Sequence, residues 1–383
     1  MQKSTIDTQL IIKIPVHREQ SGTTEYVVLK GIQAQPLKLE DWFIYSKSSE
    51  LKIQIYGTVA KKPEWATEFP PVGNRFKADF NVDSNLKNTC FALVEGGWVP
   101  LIYTFSNGNI IADRNIISEI KARFSKGELS PSNRNHDDFI DFMTDKNCSC
   151  TIHTISYALE SNQRKLPSSA TMKEQHHAAL KILHNSLPHI KTWPKSNSDL
   201  NHLIKLMDSL RDYFIEGVRL LTKIAPLLIN SPSRGMRIDR WRKMAAIAKS
   251  ENVSIHHVAF LACLSASTAN QNFNPAKNLI KPKKNYNEDD AYNSMYDMFL
   301  IMFSNMLQTQ APEQKVTLVT RDKNLALFWM GLTFSPSITS GQQKIGLHES
   351  LLPVSQQELE ELGKILGEER VSRNWPVPQP SFF

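Results

Sequence analysis

Two aspartates directly follow apolar, β-branched segments of the chain. Asp113 comes immediately after Asn109–Ala112, and Asp322 comes after Lys315–Thr320 with only Arg321 between them. Both segments have the composition of buried strands. The functional crevice of an open parallel sheet lies outside the carboxyl ends of its strands. We therefore expect the two carboxylates to lie close together if these strands are neighbours.

Two further acidic residues lie on predicted helices. Glu160 is one turn into a helix that follows the predicted strand Cys150–Ile155. Asp297 is in the middle of another helix, with Asn293 on the same face four residues earlier. Four clustered carboxylates repel one another unless a cation neutralises them, and hard oxygen ligands suit Mg²⁺ or Mn²⁺. Two such ions could activate a water and stabilise the leaving oxygen of a phosphodiester. The predicted metal ligands and catalytic residues are Asp113, Glu160, Asp297 and Asp322.

Each of these residues also has a purely structural interpretation. Asp113 and Asp322 both precede predicted helices, and aspartate is a favoured N-cap. Glu160 could be an exposed helix charge, and Asp297 could pair with a lysine or an arginine. Asp290, near the N-terminus of the same helix as Asp297, could replace it as the third ligand.

The positive charge of the chain is concentrated in its middle third. The whole sequence has 45 basic and 38 acidic residues, a net charge of +7. Residues 161–285 contain 20 basic and 7 acidic residues, which leaves this segment at +13 and the remainder at −6. Such a segment could bind a polyanion, although solvated helix faces give the same pattern. Within it, we expect the cluster that includes Arg240, Arg242 and Lys243 to hold phosphates.

Other candidate substrate contacts lie next to the carboxylates. Arg114, Arg321 and Lys323 flank the two strand-end aspartates and could clamp a phosphate, or could simply be solvated. Asn293 could bind a phosphate, orient Asp297 or satisfy a backbone group. The predicted substrate-binding residues are Arg114, Asn293, Arg321, Lys323, Arg240, Arg242 and Lys243.

The order of predicted elements places the carboxylates on an α/β domain. Strands alternate with helices across 96–165 and 286–340, which favours three layers around a largely parallel sheet. Helical periodicity across 166–285 predicts a large basic helical insert, and the alternating pattern of 1–95 predicts a β-rich N-terminal domain. Residues 341–383 are predicted to form a C-terminal helix and a Pro-rich tail.

Three local segments carry distinct predictions. Thr89–Val94 reads as a strand of the N-terminal domain, and Trp98–Ala112 reads as two strands around a turn. Asn272–Lys284 reads as a basic loop punctuated by proline.

Parts of the chain resemble the PIN-domain family of nucleases. Ile110–Ile117 (IIADRNII) resembles the family's first strand with its acidic residue, and Val316–Leu325 (VTLVTRDKNL) resembles its last strand with a Thr-x-Asp-x-x-Leu turn. Glu160 and Asp297 match the family's two intervening acidic positions. The long helical insert departs from the compact family domain. The resemblance implies an α/β fold whose acidic cluster binds divalent metal and cleaves RNA, or flap-type DNA in larger relatives. By analogy of fold alone, it suggests toxin-like or phage-defence activity.

A second class of function is a non-catalytic, regulatory nucleic-acid-binding protein. Ala248, Asn252 and Val258 occupy the small, turn and apolar positions of a helix-turn-helix, which would place Ser254–Ser265 in the major groove. That second helix is very apolar, so an αα-hairpin packed in a core is the favoured interpretation.

Composition excludes several other classes. Four cysteines in 383 residues cannot form a disulfide framework, and Cys148 and Cys150 lack the second ligand pair of a zinc site. We expect four reduced thiols in a cytoplasmic protein. The sequence has no apolar leader and no uncharged apolar run of about 18 residues, so we expect no membrane partner. Nucleic acid is the predicted partner, with RNA favoured over DNA. A second copy of the chain or an inhibitory protein is a further candidate.

Overall fold

The computed structural model describes residues 11–18, 22–45, 48, 50–83, 90–105, 108–130, 140–146, 148–159, 165–268, 273–310, 314–336, 343–367 and 374–376. The chain divides into two compact units. The first unit comprises Met1–Thr154, His177–Trp193 and Gln308–Arg321, and the second comprises Ile155–His176, Pro194–Leu307 and Asp322–Phe383.

An antiparallel sheet forms the N-terminal part of the first unit. Its strands are adjacent in chain order: β1 (Ile12–Arg18), β2 (Thr23–Ala34), β3 (Glu50–Lys61) and β4 (Arg75–Asp83). Helix α1 (Leu39–Tyr45) connects β2 to β3. In β3 every second residue from Leu51 to Ile55 is buried, as expected of a strand with one face in the core. The predicted β-rich N-terminal region is confirmed.

A six-stranded sheet forms the rest of the core of this unit. Its strands are β5 (Phe91–Val94), β6 (Gly97–Pro100), β7 (Asn109–Ala112), β10 (Thr151–His153), β11 (Lys191–Trp193) and β12 (Val316–Thr320). A short hairpin, β8 (Phe124–Ser125) with β9 (Glu128–Leu129), lies between β7 and β10 in sequence. The spatial order is β11-β10-β7-β12-β5-β6. The first four of these strands are parallel, and β5 and β6 are antiparallel. The predicted mixed α/β class with a parallel sheet is confirmed.

Two local predictions in this sheet are wrong. Trp98–Ala112 does not fold into a hairpin, because β6 pairs with β5 while β7 pairs with β10 and β12. A 3-10 turn, Leu101–Thr104, separates the two strands instead. The strand β5, which we grouped with the N-terminal strands, belongs to the larger sheet.

Helices and a small sheet form the second unit. In chain order, helix α2 (Arg114–Arg123) of the first unit is followed by α3 (Ile155–Leu159), α4 (Ser169–Ser186), α5 (Asn197–Ser209), α6 (Arg211–Ile224), α7 (Arg234–Ser250), α8 (Val258–Thr268), α9 (Pro275–Ile280), α10 (Glu288–Gln310), α11 (Lys323–Met330) and α12 (Gln356–Leu366). The part of α4 from His177 onward and the end of α10 from Gln308 belong to the first unit. The strands β13 (Leu332–Pro336), β14 (Gln343–Leu347) and β15 (Asn374–Pro376) form a three-stranded antiparallel sheet. Helices make up most of the described part of 166–285. The prediction of one helical insert is wrong at Lys191–Trp193, which is strand β11 of the large sheet, and His177–Trp193 belongs to the first unit.

The segment predicted as a basic loop contains helix α9. Asn274 caps this helix by accepting from the backbone N–H of Lys277 at 2.9 Å, and Pro275 is its first residue. Proline is well tolerated there because the first N–H groups of a helix have no partner within it. The prediction of a loop over Asn272–Lys284 is therefore wrong at Pro275–Ile280.

Helix α8 is a core helix. All of its residues from Val258 to Thr268 are buried. Trp241 of α7 donates to the Ser267 hydroxyl at 3.0 Å, so the two helices are joined within the core. A fully buried helix cannot lie in a DNA groove, and the αα-hairpin interpretation is the one that fits.

His257 is held in its neutral form between α6 and α8. Its Nε2 lies 2.9 Å from the carbonyl of Tyr213, and its Nδ1 accepts from the N–H of Ala259 at 3.1 Å. The Tyr213 ring stacks on the imidazole at 3.9 Å between centroids. Burial lowers the pKa of His257 to about 4.

Gly217 allows α6 to approach this histidine and α10. A Cβ atom at position 217 would lie 2.2 Å from Sδ of Met295 and 2.7 Å from Cε1 of His257. Gly217→Ala should therefore lower the free energy of unfolding by about 1–3 kcal/mol, as overpacking of cores does. Urea unfolding measures this. Gly235→Ala is the control, because nothing lies within 4 Å of a Cβ built there. An equal loss in both variants would contradict the packing account.

A pH dependence follows from His257. Its pKa is lower in the folded protein than the usual value of about 6.5, so the unfolded chain binds the additional proton as the pH falls between these values. The stabilisation that neutral His257 contributes to the folded protein is complete above pH 6.5 and is lost as the pH falls towards 4. The stability advantage of the wild type over His257→Gln should shrink by about 2 kcal/mol between pH 7 and pH 5. Urea unfolding at both pH values measures it, and a constant difference would contradict the neutral, buried assignment.

Candidate functional site

The strand order of the large sheet defines a single switch point among its parallel strands. Along the chain, β7 is followed by β10 and then β11, and these strands lie third, second and first in the sheet. The last parallel strand of the chain, β12, lies fourth, on the other side of β7. The direction of winding therefore reverses between β7 and β12. Ligands of open α/β sheets bind outside the carboxyl ends of the strands at such a point. Asp113 follows β7 directly, as the sequence predicts for a site residue.

The carboxylate of Asp113 is buried at this position. The residue is 4% exposed, and its Oδ2 accepts from the Thr320 hydroxyl at 3.0 Å and from Nδ2 of Asn115 at 3.4 Å. It occupies the N-cap position of α2 but makes no side-chain cap bond there. The capping interpretation of Asp113 therefore does not account for its carboxylate, which points to its neighbours on the sheet edge.

The pairing of β7 with β12 brings Thr320 to Asp113. The register places Val319 opposite Ala112, and the backbone N–H of Asp113 donates to the carbonyl of Val319 at 2.9 Å. The next residue of each strand is then Thr320 and Asp113. Because Thr320 is completely buried, its hydroxyl has a fixed environment and holds the carboxylate in one orientation.

Arg321 is part of an ion-pair network in the first unit. It contacts Glu119 of α2 at 2.8 Å, and Glu119 also pairs with Arg123, which reaches Asp141 at 3.2 Å. Burial alone would raise the pKa of Glu119, but the hydrogen bonds and charges of Arg123 and Arg321 outweigh it and lower that pKa. Arg321 was predicted to clamp phosphate; here a carboxylate already neutralises it.

Asp322 is the N-cap of α11. Its Oδ1 accepts from the backbone N–H groups of Asn324 at 2.7 Å and Leu325 at 3.2 Å. Asp322 therefore acts as the predicted helix N-cap, and capping uses one of its two carboxylate oxygens. Lys323, the first residue of α11, is exposed.

The remaining predicted carboxylates do not complete a metal site. Asp297 is half-buried on α10, and Asn293 is exposed on the same helix. Asp290, the proposed substitute, pairs with Lys283 at 2.8 Å. Glu160 lies outside the described residues. Within the residues that the structure describes, no three His, Cys, Asp or Glu side chains are grouped closely enough to hold a metal ion.

The predicted basic contacts of α7 differ in their surroundings. Arg242 pairs with Asp239 at 2.9 Å on an exposed surface, and Lys243 is exposed. Arg240 is half-buried and donates to the backbone carbonyl of Asn230 at 2.7 Å. Arg114, directly after Asp113, is exposed at the start of α2.

Neither Glu119 nor Lys277 stands out in the sequence. The structure brings Glu119 into ion pairs with two arginines and Lys277 to the backbone carbonyl of Ile229. Glu119 looks like an ordinary exposed helix residue until the sheet order places β12 beside β7. Lys277 lies in the segment that we had read as a loop.

Comparisons with family models, with curated proteins and with solved structures find no match to this chain. Among the described residues, no helix is both long and apolar enough to cross a bilayer.

Thr320→Val tests the central hydrogen bond of the site. The substitution preserves shape but leaves the buried Asp113 carboxylate without this donor, and hydrogen bonds to charged groups contribute about 1.5–3 kcal/mol. We expect a loss of this size in urea unfolding at pH 7, with Thr320→Ser close to wild type. Thr317→Val, in the same strand and also buried, is the control. Equal effects at positions 317 and 320 would contradict the assignment.

Proposed function

We propose that the protein is a nuclease that hydrolyses phosphodiester bonds at the switch point between β7 and β12. One observation carries the proposal. Asp113 is a buried carboxylate at this edge, held by the hydroxyl of Thr320 instead of capping its own helix. A buried carboxylate that the fold does not need as a cap is costly, and ligands of parallel sheets bind at the carboxyl ends of the strands, where this one lies.

The proposed step uses Asp113 as the general base. Its carboxylate takes a proton from a water molecule while the water oxygen bonds to phosphorus. The bond from phosphorus to the leaving oxygen breaks, and that oxygen is protonated from solvent. Arg114 lies at the next position along the chain and supplies positive charge for the phosphate. Thr320 is a positioning residue that keeps the carboxylate directed to the crevice.

The PIN-like resemblance supports this proposal and favours RNA over DNA as the substrate. A PIN-like, three-layer domain around the parallel sheet is part of the same proposal. The Mg²⁺ or Mn²⁺ site that the resemblance implies does not fit the described carboxylates, since no three of them form a group. The cleavage assay therefore compares activity with and without divalent metal. The four cysteines are buried thiols, which fits a reducing compartment such as the cytoplasm.

A second candidate function is binding of nucleic acid without cleavage. The observation that favours it is Arg240, a half-buried residue of the basic helix α7. Its guanidinium donates to the backbone carbonyl of Asn230, which precedes the helix. A cation held in this way can contact a phosphate without losing further side-chain entropy.

Cleavage of end-labelled single-stranded RNA and DNA tests the proposal. Wild type and Asp113→Asn are compared with Mg²⁺, with Mn²⁺ and with a chelator. We expect cleavage by the wild type and a loss of at least about 100-fold in rate for Asp113→Asn, the usual contribution of a general base. Asp322→Asn is tested alongside.

The control is Asp79→Asn, an exposed aspartate on β4 that pairs with Lys52. It should cleave at the wild-type rate. Equal cleavage by wild type and Asp113→Asn would overturn the catalytic assignment. Salt-sensitive binding with no cleavage by the wild type would support the second candidate instead.

A further inference from the structure

A polar cleft of about 690 Å³ opens on the second unit between α9 and the turn that precedes α7. Its lining includes Asn230, Ser231, Lys277, Asn278 and Lys281, and we call it the Lys277 groove. We propose that this groove binds the phosphodiester backbone of single-stranded nucleic acid at a site that takes no part in the chemistry. The inference rests on the proposed function only for the identity of the polyanion.

Lys277, which lines this groove, has a second cation, Arg240, close to it. Nζ of Lys277 donates to the carbonyl of Ile229 at 2.7 Å, and Nη1 of Arg240 donates to the carbonyl of Asn230 at 2.7 Å. The two carbonyls belong to adjacent residues, whose Cα atoms are about 3.8 Å apart. In the described part of the chain, neither cation is paired with a carboxylate.

The positive charges of Lys277 and Arg240 repel each other, and a bound anion would reduce this repulsion. Burial lowers the pKa of Lys277, and the positive charge of Arg240 lowers it further. Burial also lowers the pKa of Arg240. Like charges in a partly desolvated place repel, whereas a phosphate between them would be attracted by both. Carbonyl anchors hold the cations without neutralising them, unlike carboxylates.

A third cation extends the site beyond the end of α9. Lys281 is the residue that follows this helix, and it lines the same groove as Lys277. Its backbone is left-handed, with φ of 52°, and its N–H donates to the carbonyl of Lys277 at 2.8 Å, which ends the helix. Two lysines in the lining with Arg240 close to one of them suit the repeating charge of a nucleic-acid strand better than a single small anion.

Neutral polar groups continue the groove towards α11. Nδ2 of Asn278 donates to Oδ1 of Asn324 at 3.1 Å, and the N–H of Asn324 donates to Asp322. A strand bound along the groove would therefore run towards the N-terminus of α11.

A second cleft on the same unit lacks these properties. It has a volume of about 430 Å³, and its lining includes Arg242, Lys249, Glu361 and Lys364. Arg242 pairs with Asp239 at 2.9 Å, and Lys364 pairs with Glu361 at 2.7 Å. Because carboxylates compensate these cations, we expect them to contribute little to binding. They provide a control with the same number of charges removed.

Binding of a short labelled single strand of RNA, measured with a chelator over a series of salt concentrations, tests the proposal. Each phosphate contact contributes about 0.7 to the slope of log K against log salt for single strands. Arg240→Gln/Lys277→Gln should lower this slope by about 1.4, and Lys281→Gln by about 0.7. The control Arg242→Gln/Lys364→Gln, which removes two cations that carboxylates compensate, should change it less. Equal changes in the two double variants would overturn the proposal.

Two further measurements distinguish a nucleic-acid strand from free phosphate and check that the variants fold. Inorganic phosphate at the concentration of the strand's phosphates should not displace the strand; full displacement would indicate a site for free phosphate and overturn the proposal. Thermal unfolding checks that the double variant folds, and the exposed Lys281→Gln provides an independent test if it does not. If the wild type binds RNA through the groove but cleaves none, the groove inference is supported and the nuclease proposal is contradicted. If the wild type cleaves RNA and the groove variants cleave it equally well, the nuclease proposal is supported and the groove inference is contradicted.

Discussion

The hydrogen bond between Thr320 and Asp113 is the interaction on which the first unit's candidate site depends. It exists because β7 and β12, far apart in sequence, are neighbours with a register that places Thr320 beside Asp113. Buried backbone pairing over the preceding residues fixes that register, since a slip by one residue would turn each side chain to the other face. The site is thus a consequence of sheet pairing, with the carboxylate oriented by a strand residue.

Charge is arranged differently in the two units. In the first unit, Arg321 and Arg123 are matched by Glu119 and Asp141, so the residues beside the sheet edge form a nearly neutral network. In the second unit, Lys277 and Arg240 are anchored by carbonyls and keep their charge uncompensated. Paired cations stabilise local structure, whereas uncompensated ones remain able to bind anions. The net charge of +7 does not reveal this distinction.

The sequence predicts elements better than it predicts their pairing. The β-branched strand before Asp322 and the helix that contains Asp297 lie where the sequence predicts them, because local propensity and burial agree there. The wrong hairpin at 98–112 has a physical cause: a local turn signal says nothing about the partner of each strand, which is fixed by non-local pairing with β5 and β12. Helix α9 was missed because Pro275 is compatible both with a loop and with the first turn of a helix. For Asp322, the same N-cap pattern fits both a structural and a catalytic role, and sequence cannot separate them.

The most direct test of the central claim is a crystal structure of Asp113→Asn with a single RNA strand whose phosphates are replaced by phosphorothioates, which are hydrolysed slowly. We predict a phosphorothioate group outside the ends of β7 and β12, with room for one water molecule between its phosphorus and the side chain at position 113. Phosphorothioate groups elsewhere on the molecule, with no ligand at this edge of the sheet, would contradict it.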